Sequence, residues 1–261
     1  MVKLIASDMD GTLLDSNGIL HEDFYETLIK LKDKNITFVA ASGRQYQNLL
    51  KTFDKVKYDI IFAAENGTYI MQNGKELYSN CIANDILNEL CCLGRSLDNC
   101  YVLLCGKKAA YLETNEKFVH DEVKKYFEKV EVVSDFSLID DEILKFTLCD
   151  FDGANNNSYN IFNKIYGEQF KVVTSGDIWL DIMNKDANKG VAIKFLQNKL
   201  NISFDETMSF GDYYNDLEML KCSKYSYAMG NAVDAVKRVS NYLADTNENY
   251  GVIKAINENV I

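Results

Sequence analysis

The sequence predicts an α/β protein, a parallel-sheet core with a second α/β unit inserted into it, on three observations. Over the first eighty residues, short apolar or β-branched runs alternate with patterns of helical period, as βαβ units do. From about residue 84 to 183 the rhythm changes, and paired strands fall between the helices. Beyond 184 the alternation resumes, so the first unit is discontinuous, 1–82 plus 184–261, with 83–183 inserted like a lid. A chain of 261 residues, 47% hydrophobic and 26% charged, can bury a sizeable core, and single cores split at about 250 residues.

Residues 2–6 read as a buried strand. Phe24, Leu28 and Leu31 recur at helical spacing, and Asn35 ends that helix before a strand over 36–40. A helix over 45–53 leads to a strand over 59–64, and Asn73-Gly74 between the runs 68–71 and 76–79 signals a hairpin. In the insert, Asn84 is placed to cap a helix carrying Ile86, Leu87, Leu90 and Cys91. Strands over 101–105 and 109–112, a helix over 116–128, a strand over 130–133, a helical turn near Ser137 and a strand over 144–149 follow. A helix over 157–166 and strands over 171–174 and 178–182 complete it, with Ile178, Leu180 and Ile182 on one face and Trp179 and Asp181 on the other. A helix from Lys189 then buries Ala192, Phe195, Leu196 and Leu200, before strands over 207–210, 225–228 and 242–244.

The 28 Lys and Arg against 39 Asp and Glu give a net charge of −11, which repels nucleic acid and anionic lipid alike. A small anionic substrate would need a locally positive place in that field, made by a metal, a lysine or helix N-termini. Seven cysteines with no Cys-x-x-Cys spacing exclude a zinc or thioredoxin-like motif; Cys100 and Cys105 read as buried reduced thiols, and a reducing cytoplasm is the expected compartment. No run approaches a membrane span, and Asp8 and Asp10 interrupt the apolar N-terminal stretch, so no leader is expected. Oligomeric state is not encoded in any recognisable pattern. Proline is absent, which removes proline-based turns throughout.

Chemistry concentrates after the strands. Asp8-Met9-Asp10-Gly11-Thr12 follows the first one, at the carboxyl end where open parallel sheets bind ligands. Carboxylates at i and i+2 point to one side and repel unless a cation or a shared proton relieves them, and Gly11 permits a turn that aims backbone N–H groups at an anion. Gly211-Asp212 and Asn215-Asp216 follow the strand over 207–210, and oxygen donors with only His21 and His120 in the chain suit a hard cation, Mg²⁺. Asp212 reads equally as the cap of the helix through Leu217 and Leu220. Ser42-Gly43 follows the second strand and is either a phosphate contact or a helix cap. Lys189, at a helix start where the macrodipole disfavours a cation, needs an anionic partner or solvent.

In order, Asp8-Met9-Asp10-Gly11-Thr12, Ser42, Lys189 and Gly211-Asp212 with Asn215-Asp216 resemble the four motifs of the haloacid dehalogenase superfamily, and the resemblance spans essentially the whole chain. It implies a Rossmann-like core, and the element order of the insert resembles the type IIB cap of the Cof-like branch. The resemblance implies that Asp8 is a nucleophile, Asp10 the acid and base, and Mg²⁺ a cofactor on Asp8, the Asp10 carbonyl, Asp212 and Asp216. Ser42, Gly43, Thr12 and Lys189 would hold phosphoryl oxygens, and Asn215 would orient the acids or the phosphate. Arg44 and Asn66, in Ser42-Gly43-Arg44 and Glu65-Asn66-Gly67, match Cof-like positions at the substrate side. The expected activity is hydrolysis of a small phosphorylated metabolite, a sugar phosphate first, with specificity in the cap and hinges near 79–83 and 183–188. A phosphomutase and a non-catalytic phosphometabolite-binding regulator remain open as alternatives.

Overall fold

A computed structural model describes residues 1–261, and the chain divides into two compact units, 1–78 with 188–261 and 79–187. The first is built on β1 (Leu4–Ser7), α1 (Asp23–Asp33), β2 (Thr37–Ala41), α2 (Tyr46–Thr52), β3 (Ile61–Ala64) and the hairpin β4 (Tyr69–Gln72) and β5 (Lys75–Ser79). The second contains α3 (Asn84–Arg95), β6 (Cys100–Gly106), β7 (Ala110–Leu112), α4 (Lys117–Val123), β8 (Val130–Val132), β9 (Ile143–Asp150), α5 (Ser158–Tyr166), β10 (Phe170–Ser175) and β11 (Trp179–Asn184). The first unit is then completed by α6 (Lys189–Leu200), β12 (Thr207–Gly211), α7 (Leu217–Leu220), β13 (Tyr225–Ala228), α8 (Asp234–Val239), β14 (Tyr242–Leu243) and α9 (Gly251–Asn259).

The first unit holds an eight-stranded sheet in the order β14-β13-β12-β1-β2-β3-β4-β5, parallel from β14 to β3 and antiparallel at β3–β4. Its central strands read as continuous apolar runs because both faces are covered. One face packs Leu4, Ala6, Val39 and Ile61 against Ala192, Ile193 and Leu196 of α6. Phe24 of α1 meets Phe38 and Phe53 edge-on at centroid distances of 5.0 and 5.9 Å. The hairpin turns through Asn73 and Gly74, both at positive φ as a two-residue turn of this kind requires.

The second unit is a six-stranded sheet, β10-β11-β9-β6-β7-β8, antiparallel except for β7–β8. Val102, Leu104, Phe146, Leu148, Leu180 and Ile182 pack with α3 and α5 on one face. Leu103, Cys105, Leu112, Cys149 and Trp179 pack with Val119 and Val123 of α4 on the other. The element order is that of the expected type IIB insert.

Several boundaries differ from expectation for local reasons. The unit borders fall at 78/79 and 187/188 rather than 82/83 and 183/184. The side chains of 80 and 184 belong to the insert: Asn184 Nδ2 donates to Asn80 Oδ1 at 2.6 Å and to Cys81 O at 2.9 Å, and Asn80 Nδ2 donates to Asp186 Oδ1 at 2.9 Å. Asn84 is the first residue of α3, with Ala83 at the cap position, so the expected Asn84 cap is absent. Ile178 precedes β11 and packs beside Trp179, not with Leu180 and Ile182. In α6 the buried stripe takes Ile193, while Leu200 is exposed. Cys105 is buried but Cys100 only half-buried, and all seven cysteines are free. No helix is long and apolar enough to cross a membrane.

Candidate active site

The site grows from the ends of β1 and β12. The Asp8 N–H donates to Phe210 O at 3.0 Å, which continues the sheet pairing one residue beyond β1 and fixes the backbone of Asp8 beside the acidic loop after β12. The chain then leaves the strand through 9–13, an irregular turn in which Gly11 takes φ +76°. A Cβ there would lie 2.4 Å from Asp212 Oδ2, so the position is closed to a side chain on two counts. Asn231 Nδ2 donates to Gly11 O at 2.8 Å and holds the turn.

Lys189 is the first residue of α6, where Asn188 caps the helix by accepting from the Val191 N–H at 3.0 Å. Its completely buried ammonium donates to Asp8 Oδ1 and to Asp216 Oδ1, the latter at 2.7 Å. The unfavourable placement of a cation at a helix start is thus offset by two carboxylates rather than by solvent. Asp216 uses its other oxygen to accept from the N–H groups of Asp212 and Tyr213 at 3.0 and 3.1 Å, which shapes the loop around it. Asp212 accepts at 3.0 Å from the Thr12 hydroxyl. It does not cap the helix that follows: Asp216 stands at the cap position of α7.

Carboxylate oxygens of Asp8, Asp212 and Asp216 lie within 4.8 Å of one another. Three carboxylates against one ammonium leave two negative charges in a largely buried place. Burial, with Asp216 adding to it and Lys189 opposing, pushes the Asp8 carboxyl well above the usual range. Burial and Asp216 raise Asp212 likewise, against the Thr12 hydrogen bond. For Lys189, burial alone would lower the ammonium, but Asp216 and Asp8 outweigh it and raise it. An all-oxygen donor set short of two positive charges fits a hard divalent cation.

The loops after β2 and β3 form the neighbouring rim. Ser42 is not a helix cap, since Gln45 stands at the cap of α2; its buried hydroxyl accepts from the Arg44 N–H at 3.1 Å. The Asn66 N–H donates to Ser42 O at 2.8 Å and the Glu65 N–H to Arg44 O at 3.1 Å, so the two loops are laced together. Asn215 Nδ2 donates to Asn66 Oδ1 at 3.2 Å.

One sequence-based placement needs correction. Asp10 does not point with Asp8: its carboxylate is exposed and paired with Arg44, because the strand ends at Ser7 and alternation stops there. The Thr12 hydroxyl, expected to hold phosphoryl oxygen, donates to Asp212. Asn188 and Asn231 were missed. Asn188, directly before Lys189, carries a legible capping signal, whereas nothing local links Asn231 to Gly11, 220 residues away.

A family model described as haloacid dehalogenase-like hydrolase matches residues 5–256. The 5-amino-6-(5-phospho-D-ribitylamino)uracil phosphatase of Escherichia coli (strain K12) is 30% identical over 259 residues, covering 98% of this chain and 96% of its own. A solved structure from Streptococcus mutans UA159 is 31% identical with a TM-score of 0.86, over 99% and 98% of the two chains. A sugar phosphatase of haloacid dehalogenase subclass IIB shares the fold at 19% identity and a TM-score of 0.81, over 98% of each chain.

Proposed function

The chain belongs to the haloacid dehalogenase-like hydrolases, an enzyme family with named phosphatases among its relatives, and from that premise we propose that it is a Mg²⁺-dependent phosphatase for small phosphorylated metabolites, sugar phosphates first. The observation that carries the reading is the buried Asp8, hydrogen-bonded to Lys189 within the group of three carboxylates. The relative named for a phosphorylated ribitylamino compound supports a small phosphorylated metabolite as substrate. A reducing cytoplasm suits a chain with seven free cysteines, of which burial pushes Cys91 and Cys149 up to about 12 and so leaves them as thiols.

In this reading an Asp8 oxygen attacks phosphorus and the ester bond breaks, leaving an aspartyl phosphate and the departing alcohol. Asp10 supplies the proton to the leaving oxygen, then takes one from the water that attacks the acyl phosphate, releasing inorganic phosphate and restoring Asp8. Lys189, Ser42 and the Gly43 amide bind phosphoryl oxygens, and Asn215 and Asn66 hold the loops that present them. Asp8, the Asp10 carbonyl, Asp212 and Asp216 would hold Mg²⁺, which when bound supplies positive charge against the phosphate dianion. The inserted unit selects the leaving group.

A panel of phosphate monoesters assayed with Mg²⁺ and with EDTA tests this. Released phosphate that needs Mg²⁺ and is lost by more than about 10³-fold in Asp8→Asn is the expected result. An isomerised sugar phosphate would instead mean transfer, and saturable binding without turnover would mean a regulator.

A further inference from the structure

Asp10 leaves the buried carboxylate group and turns outward, its side chain 57% exposed, where the Arg44 guanidinium takes both of its oxygens. Arg44 Nε donates to Oδ2 at 2.8 Å and a terminal nitrogen donates to Oδ1 at 2.5 Å. A two-bond fork of this kind fixes the plane and direction of the carboxyl. The acid and base role proposed above needs the same carboxyl to face the ester oxygen, so the fork has to open during turnover.

Arg44 is rooted where the phosphate is proposed to sit. Its N–H is held by Ser42 Oγ and its carbonyl by the Glu65 N–H, each at 3.1 Å, so the backbone is fixed while the guanidinium reaches outward beside the turn at Gly18. A guanidinium fork fits phosphoryl oxygens as well as it fits a carboxylate, and a phosphate dianion carries twice the charge of Asp10. An exposed Arg–carboxylate pair is also weak enough to yield, worth about fivefold at most in an equilibrium.

We propose that Arg44 is an exchange residue. In the free enzyme it holds Asp10 outward. The phosphoryl dianion of an arriving substrate takes the guanidinium over and frees Asp10 to turn toward the leaving oxygen. Substrate phosphate is then both the group to be transferred and the signal that presents the acid and base. The inference rests on the phosphatase reading but adds a position-changing role for Arg44.

If Asp10 and phosphate compete for one guanidinium, removing the carboxylate should strengthen phosphate binding only while Arg44 is present. Calorimetric titration of inorganic phosphate, in buffer with MgCl₂, into the wild type, Asp10→Asn, Arg44→Ala and the double variant measures this. The expected result is binding about two- to fivefold tighter in Asp10→Asn than in the wild type, with that gain absent in the Arg44→Ala background. An equal gain with or without Arg44, or no gain, overturns the exchange. Both side chains reach solvent, so folding should survive, and melting curves check it; Arg44→Lys, which keeps charge but not the fork, stands in if Arg44→Ala misfolds and should likewise abolish the gain. Hydrolysis of p-nitrophenyl phosphate by the wild type reads the phosphatase reading separately. An active wild type without coupling overturns the exchange alone, and a wild type that neither hydrolyses nor binds phosphate overturns both.

Discussion

Each unit buries a lysine against aspartate, and the two arrangements differ in ways that separate the proposed reactive site from a second buried ion pair. In the first unit Lys189 hydrogen-bonds Asp8 and Asp216, with Asp212 close by, so carboxylates outnumber ammonium. In the insert, Lys145 lies 3.7 Å from Asp181, one charge of each sign, and Asp181 also accepts from the Thr147 hydroxyl at 2.7 Å and the Ser175 hydroxyl at 3.2 Å. The insert's carboxylate is satisfied by hydroxyls. The core's group carries unbalanced charge, which only an added cation can neutralise without protonating an acid.

Replacing each lysine would sharpen the contrast most. Lys189→Met leaves Asp8 and Asp216 buried without their cation, and we expect a loss of about 3–5 kcal/mol in unfolding free energy together with loss of turnover. Lys145→Met leaves Asp181 its two hydroxyl donors, so about 1–3 kcal/mol is expected, with the Asp8 chemistry intact. Denaturant melts of both variants test the difference; equal losses would erase the distinction between the two pairs.

Protons and metal provide the next contrast. Because Asp8 and Asp212 are raised by burial, the folded chain binds protons more tightly than the unfolded chain. In chelator, their contribution to stability should therefore fall as pH rises from the ordinary carboxylate range, about pH 4, through the raised values. Melting temperature measured against pH should show a shallower fall in Asp212→Asn. Mg²⁺ at a hundredfold excess over its dissociation constant should add about 2.7 kcal/mol at neutral pH, and no such gain should survive in Asp212→Asn.

The smallest expected effect is at Thr12. Thr12→Val removes the hydroxyl that Asp212 accepts from, which should weaken Mg²⁺ by about tenfold and cost about 1 kcal/mol of stability. Metal titration by calorimetry checks the first figure. An unchanged affinity would mean that Asp212 is positioned by its loop alone.

What the sequence revealed and what it withheld follow from the range of the forces involved. The strand ends bearing Asp8 and Asp212 were legible because short strand-like runs end in acidic, glycine-containing loops. The direction of Asp10 was not, since period-two alternation holds only inside a strand and Gly11 redirects the chain by a backbone angle. The bonds from Arg44 to Asp10 and from Asn231 to Gly11 span 34 and 220 residues, and no local pattern reports them. Helix α9 carries a legible signal, with Val252, Ile253, Ala255 and Ile256 at helical spacing.

The hydrogen bonds that join Asn80 to Asn184 and to Asp186 bring the outgoing and returning segments of the chain side by side. The entrance and exit of more than a hundred residues are therefore almost one point. Closing so narrow a gap needs only a few linking residues, and the entropy of loop closure grows slowly with whatever length is spliced there. A scaffold with such a junction can trade one inserted module for another over evolutionary time without re-threading its sheet, so new selectivity can arise by replacement at a single seam.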